Sequence, residues 1–294
     1  MLKISHVYKN FGDKPVLRNL NLEIEEGSIF GLVGINGSGK TTLLRCISGV
    51  YYPDDGEILF NEKNTYTQPE IRKDILFVSD DMYLPSNATM RSLRQFYESF
   101  YELDEKAYRS YLNLFRLNEN AHFSGFSKGM KRQASLVFAL AIKPRLLLLD
   151  ECFDGLDPLV RLNFKKALID LLEDKSTTVI ISSHNLKELE DICDSFGILD
   201  DGQINTYGDL LESKENVRKY QLAFEEEKSR EDFAALDVMN FKKEGMVYTL
   251  VVKGNQEEVH DTLSAMHPLL LNELPVNFEE LFIYEVESRG LLHE

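Results

Sequence analysis

The stretch Ile29-Phe30-Gly31-Leu32-Val33-Gly34-Ile35-Asn36-Gly37-Ser38-Gly39-Lys40-Thr41-Thr42 decides how this chain is read. Its first five residues are a continuous apolar run, the pattern of a strand buried on both faces. The next eight, Gly34 to Thr41, match G-x-x-x-x-G-K-[ST], a phosphate-binding loop, and a helical pattern follows from Lys40 to about Ser48. Glycines let backbone N–H groups turn inward around an anion, and the positive end of the following helix faces the same anion. Asn36, Gly37, Ser38, Gly39 and Thr42 are therefore candidate nucleotide contacts. Lys40 can reach β- and γ-phosphates, and Thr41 offers a hydroxyl to Mg²⁺. A glycine turn without a ligand is the plain alternative; the buried strand before it and the helix after it argue against that.

A second stretch points to the same chemistry. Leu146-Leu147-Leu148-Leu149-Asp150-Glu151 is an apolar strand ending in two acids. Such a strand sets carboxylates at its carboxyl edge, where Asp150 would help hold Mg²⁺ and Glu151 would orient or deprotonate a water. Strand-then-acid is common alone; paired with the glycine loop it is specific.

The 294 residues suit one large domain and a small one. An apolar fraction of 43% supports a buried core and excludes a disordered or collagen-like chain. With a net charge of −16, the surface is a poor binder of phosphate backbones, so no nucleic-acid partner is expected. Cys46, Cys152 and Cys193 are scattered and form no CxxC motif, which fits a reducing compartment. No apolar run approaches the length of a membrane helix, and the opening residues lack a signal-peptide core. The expectation is a soluble intracellular chain whose membrane work, if any, needs another chain to supply the spans.

Along the sequence, Leu2, Ile4 and Val7 suggest a short strand, and Val16–Ile24 alternates with period two. From Pro85 to about Glu119 the pattern is helical, with Leu93, Phe96, Tyr97, Phe100 and Tyr101 at spacings of three and four. Buried strands are expected at Leu146–Asp150, Thr177–Ser182 and Phe196–Leu199, with helices at Leu159–Leu172 and Leu186–Cys193 between them. That alternation is the α/β signature. Asp200-Asp201-Gly202 then makes a hairpin turn. Residues 215–294 are denser in acids and read as an accessory α+β domain. It has strands near Lys219–Phe224 and Met246–Lys253 and helices at Glu257–Met266 and Phe278–Glu287.

The chain resembles the ATP-binding subunits of ABC transporters. Further stretches carry the resemblance: Phe126-Ser127-Lys128-Gly129-Met130 looks like the signature, usually Leu-Ser-Gly-Gly-Gln. Gly155-Leu156-Asp157-Pro158 looks like the D-loop, and Ser183-His184 like the switch histidine. Pro53-Asp54-Asp55-Gly56-Glu57-Ile58 resembles the turn after the phosphate-loop helix. The likeness spans about residues 1–214, and the Ser-Lys-Gly-Met variant looks most like ATPases of ABC-2-type bacterial exporters. It implies a P-loop core over 1–214 with a helical subdomain at about 85–135. It also implies two such subunits sandwiching two ATPs, a separate membrane permease, and a place on the cytoplasmic face of the membrane. Ser127 and Gly129 would then meet the γ-phosphate held by the other subunit. His184 would help position the water, and Phe11 in Asn10-Phe11-Gly12 would stack on adenine rather than sit in a core.

Four positions, in three motifs, depart from the family pattern. Asp80, in Ser79-Asp80-Asp81, falls where a glutamine usually touches Mg²⁺; a carboxylate can ligate the metal but adds negative charge beside the nucleotide. Lys128 and Met130 replace a glycine and a glutamine of the signature. Cys152 follows the catalytic acid in place of proline and is expected to be a packed, inert thiol. The aromatic set around Tyr97 reads as a helix core face or as a groove for a short helix of the permease. The function implied is ATP hydrolysis powering export of a peptide, bacteriocin or drug-like substrate. The alternative is a soluble ABC-type ATPase of DNA repair or translation. One phosphate loop, a short insertion and an acidic surface disfavour it.

Overall fold

The computed structural model describes residues 1–80, 84–173, 176–209, 216–277, 280–281 and 283–284. The chain divides into two compact units, Met1–Tyr207 and Gly208–Glu294. The boundary expected at 214/215 lies outside the described residues.

The first unit opens with β1 (Leu2–Phe11) and β2 (Lys14–Ile24), paired antiparallel. β4 (Asp55–Phe60) and the short β5 (Lys63–Asn64) complete a sheet in the order β2-β1-β4-β5. β1 is longer than Leu2, Ile4 and Val7 suggested. The spacing from Ile4 to Val7 breaks period two, and the register shifts there, with His6 at φ 50. A bulge of this kind returns the apolar face to the core after one extra residue.

The second sheet runs β10-β9-β3-β8-β7-β6. Its members are β3 (Ile29–Val33), β6 (Ile75–Val78), β7 (Leu146–Asp150), β8 (Thr178–Ser183), β9 (Ser195–Asp200) and β10 (Gln203–Asp209). β9, β3, β8, β7 and β6 pair in parallel. β3, β7 and β8 are buried throughout, which is why they read as unbroken apolar runs. α1 (Lys40–Ile47) leaves β3 and joins both sheets in one core with Leu43, Leu44, Ile47, Leu146, Leu148 and Ile180. α5 (Pro158–Leu171), N-capped by Asp157, and α6 (Leu186–Glu190) flank β8 in sequence.

The helical segment consists of α2 (Met90–Glu98), α3 (Glu105–Leu114) and α4 (Lys128–Ile142), N-capped by Thr89, Asp104 and Ser127. α4 runs past the expected limit near 135. Its residues Ala134–Ile142 are all buried, so the run carries no amphipathic period that would mark a helix from sequence. On α2 the aromatic set splits. Tyr97 is buried and stacks on Phe138 of α4 at 4.7 Å, while Phe96 and Phe100 are 59% and 60% exposed. The Tyr101 hydroxyl donates to the Ile75 carbonyl at 3.2 Å.

The second unit holds an antiparallel sheet, β12-β13-β11-β14, and a helix that follows β13. β11 (Val217–Ala223), β13 (Val247–Lys253) and α7 (Gln256–Ser264) agree with the sequence pattern. The edge strands β12 (Asp237–Glu244) and β14 (Leu270–Leu274) were not legible, because edge residues are half-exposed and need not alternate. Tyr220, Leu222, Phe233, Tyr248, Leu250, Val259 and Leu263 form the unit's own core. Of the expected last helix, Glu280, Leu281, Ile283 and Tyr284 are helical, and the rest lies outside the described residues.

The two faces of α2 predict different mutational costs. Tyr97→Ala should destabilise the chain by about 3 kcal/mol or more in urea unfolding, because it empties a packed site. Phe96→Ala should stay within about 0.5 kcal/mol. Equal effects would contradict the burial difference.

Candidate functional site

Parallel register gathers the site. Val33 pairs with Ser183, and Asp150 with Ser182, across the neighbouring strands β3, β8 and β7. The residues that follow each strand, Gly34, Glu151 and His184, therefore emerge at one carboxyl edge, where open α/β sheets bind ligands.

There Lys40, Glu151 and His184 meet. Lys40 Nζ, 6% exposed, lies 3.4 Å from Glu151 Oε1. It donates to the Gly34 and Ile35 carbonyls at 2.7 and 3.3 Å. His184 Nδ1 is 2.9 Å from Glu151 Oε2, and the His184 N–H donates to the same oxygen at 3.3 Å. Glu151 itself sits at φ 47, a left-handed conformation that costs a non-glycine residue about 1–2 kcal/mol. Its N–H donates to the Ser182 carbonyl and hydroxyl at 3.2 and 3.1 Å. Asp150 is buried, and Ser182 Oγ donates to its carboxylate at 2.6 Å.

The loop from Gly34 to Thr42 has the form of an anion cradle. Ser38 Oγ is buried without a hydrogen-bond partner. A Cβ on Gly37, at φ +85, would meet nothing within 4 Å. Gly39, φ 110, is the N-cap of α1, which has no side-chain cap and no acid in its first turn. Thr41 and Thr42 lie half-buried in that turn, and Asn36 is exposed on the loop. An unspent buried hydroxyl, an open glycine and an uncapped helix N-terminus fit a triphosphate, which supplies acceptors to all three.

The remaining expected residues lie apart from this cluster. Ser127 accepts from the Met130 N–H at 3.1 Å as the α4 cap, and a Cβ on Gly129 would come within 2.7 Å of the Gly155 carbonyl. Among the described residues no hydrogen bond or ion pair joins Ser127 or Gly129 to residues 34–42. Phe11 is 46% exposed and meets Tyr51 edge-on at 5.4 Å, so it is not a core phenylalanine. Asp80, expected at the metal, meets two cations in this structure. Its carboxylate accepts from Arg132, with Lys128 Nζ at 3.9 Å, and no contact joins it to Thr41 or Asp150 among the described residues. The opposite charge nearest it is a guanidinium, and that attraction explains where it points.

Sequence reasoning missed four participants. Ser182 is a polar residue closing an apolar strand, a signal that was visible. Arg132, its side chain 5% exposed, lies in the second turn of α4 and donates to the Glu151 and Asp154 carbonyls at 2.6 and 2.7 Å. Arg161 of α5 donates to the Phe153 and Leu156 carbonyls at 3.3 and 3.4 Å and pairs with buried Glu188 at 2.7 Å. Glu188 also accepts from Ser183 Oγ at 3.1 Å, and burial holds its carboxyl above the ordinary range against the pull of Arg161. Cys152 is buried, and burial raises its thiol well above the usual value, as an inert thiol requires.

Residues 17–154 match the family profile described as ABC transporter. Over 288 residues the chain is 33% identical to the ABC transporter ATP-binding protein YtrB of Bacillus subtilis (strain 168), covering 96% of this chain and 97% of that one. Over 229 residues it is 29% identical to the lantibiotic transport ATP-binding protein SrtF of Streptococcus pyogenes, covering 76% and 99%. The solved dimeric post-hydrolysis state of the ATP-binding cassette MJ0796, bound to ADP and Pi, is similar with a TM-score of 0.63 at 25% identity, covering 71% and 99%. With that cassette fold and the phosphate loop, lysine, glutamate and histidine at one sheet edge, this chain belongs to the ATP-binding ATPases of ABC transporters.

Proposed function

We propose that the cluster at the carboxyl edge of β3, β7 and β8 hydrolyses ATP to drive a separate membrane permease in export. The convergence of Lys40, Glu151 and His184 carries this reading. The triphosphate lies on the loop from Asn36 to Thr42, and Phe11 stacks on adenine. Thr41 and Asp150 are the residues that hold Mg²⁺, which neutralises phosphate charge. Lys40, which now serves loop carbonyls and Glu151, turns to the β- and γ-phosphates. Glu151 thereby loses its cation and takes a proton from water as the water oxygen bonds the γ-phosphorus. The bond from that phosphorus to the β,γ-bridging oxygen breaks, and ADP leaves. His184 holds Glu151 through Nδ1, leaving Nε2 as the nitrogen to reach a phosphate oxygen.

Ser127 and Gly129 act on the ATP of a second ATPase subunit, consistent with their distance in sequence and contact from this chain's own phosphate loop. The dimeric cassette MJ0796 supports that arrangement. Among the described residues no helix is long and apolar enough to cross a membrane, so the permease supplies the spans and brings this chain to the cytoplasmic face. Phe96 and Phe100, ring centroids 5.2 Å apart and largely exposed, offer an apolar surface for it. Export is favoured by the Ser127-Lys128-Gly129-Met130 variant and by the lantibiotic transport relative. Residues 215–294 form an accessory domain for regulation or subunit pairing.

Glu151→Gln should lower steady-state hydrolysis about a hundredfold or more while ATP still binds, because the base is lost and the shape kept. Turnover within about threefold of wild type would remove Glu151 from that role. Phe96→Glu or Phe100→Glu should abolish co-purification with the permease and leave nucleotide affinity unchanged; unaltered co-purification of both would clear this face. In proteoliposomes of the assembled complex, cargo should move away from the side that bears the ATPase, and movement toward it would overturn export. A chain ending at residue 214 should still bind ATP, and a folded truncation that does not would join the tail to the catalytic unit.

A further inference from the structure

Arg132 is a buried cation outside every nucleotide motif. A guanidinium removed from water must spend its donors on acceptors close by. Among the described residues, the hydrogen bonds of the two Nη groups of Arg132 fall on two places. Nη1 donates to the carbonyls of Glu151 and Asp154, at 2.6 and 2.7 Å. These are the two ends of one turn, since the Asp154 N–H donates to the Glu151 carbonyl at 3.2 Å. Nη2 donates to the carboxylate of Asp80 and, at 3.3 Å, to its carbonyl. One planar group thus fastens the turn that carries Glu151 in its left-handed conformation to Asp80, two residues past the end of β6.

The charge balance gives the arrangement its direction. The turn offers Arg132 neutral carbonyls, and Asp80 offers it the carboxylate. Lys128, 74% exposed and 3.9 Å from Asp80, adds little in water. Fixing the plane of the guanidinium through Asp80 fixes both carbonyl contacts, because its donors sit in a rigid fork. Positions near a reacting group tolerate little error: a displacement of about 1 Å can cost about a hundredfold in rate.

We infer that Arg132 is a positioning residue for Glu151 and that Asp80 is its electrostatic anchor rather than a ligand of Mg²⁺. The pair makes the strained turn of the base depend on where the chain leaves β6. A shift of the helical segment that withdraws Asp80 loosens the turn and slows water activation without removing any group from the nucleotide. This rests on Glu151 being the general base.

The test uses the full-length chain, with ATP turnover, ATP KM and Mg²⁺ titration measured for R132Q, R132K, D80N, the double variant and E151Q. R132Q should lower kcat about tenfold or more with KM within about twofold. R132K should fall between R132Q and wild type, since an ammonium replaces the charge but not the fork. D80N should lower kcat about threefold or more at an unchanged Mg²⁺ midpoint, and the double variant should be no slower than R132Q, because the two residues act as one unit. A folded R132Q with kcat within about threefold of wild type overturns the inference, as do losses that multiply in the double variant. So does a D80N whose defect is cured by excess Mg²⁺, which would make Asp80 a metal ligand. If R132Q does not fold, the kcat and Mg²⁺ profile of D80N decides. An E151Q chain within about threefold of wild type overturns the base assignment and this inference with it, whereas an inactive E151Q beside an unaffected R132Q overturns this inference alone.

Discussion

Everything in the site depends on the parallel register of β3, β8 and β7. Pairing Val33 with Ser183 and Asp150 with Ser182 brings three distant stretches of chain to one edge within a few ångströms. No single element could do this. A parallel ladder needs long crossovers, and the crossovers here carry α1, α4 and α5, which cover the sheet and exclude water from its strands. With every residue of β3, β7 and β8 buried, slippage of one strand would mispair side chains packed on both faces and carry Glu151 away from Lys40 and His184.

Register brings the backbone ends together, but side-chain contacts aim the groups. Glu151 occupies a left-handed conformation that a β-carbon resists, so its turn needs support from outside. Ser182 holds its N–H from β8, and Arg132 holds both carbonyl ends from α4. Arg161 does the same for the next part of the turn, at Phe153 and Leu156, and reaches Glu188 beside the strand that ends before His184. Two arginines from two helices therefore bracket residues 151–156. A buried cation such as Arg132 is costly unless paired, and the carbonyls of this turn and the Asp80 carboxylate take its donors, while Arg161 pairs with Glu188, so the turn that carries Glu151 is tied to both helices.

Charge explains a further feature of the site. The chain carries a net charge of −16, yet the helix that follows the glycine loop has no acid in its first turn. Its lysine is 6% exposed and within 3.4 Å of a carboxylate. Acidic surface and neutral-to-positive cradle coexist because the cradle is made from backbone N–H groups, whose dipoles do not appear in a count of charged residues.

The sequence alone marked the glycine-rich loop, the two acids at the end of β7, His184 after β8 and the α/β order of elements. Each is a local pattern: glycine conformations, an apolar run, a residue next in line. It also marked Tyr97 and Phe96 as one aromatic set, without deciding which faced inward, because helical spacing does not say what packs against it. Tertiary structure decided that when Phe138 of α4 stacked on Tyr97 and left Phe96 exposed. It likewise decided the partner of Asp80. Position in the motif pointed to metal, while the fold set a buried guanidinium 52 residues away in the chain against its carboxylate. Arg132 and Arg161 were illegible for the same reason. Their roles lie in which carbonyls they meet, and that is a property of distant segments brought together by packing, carried by no spacing along the chain.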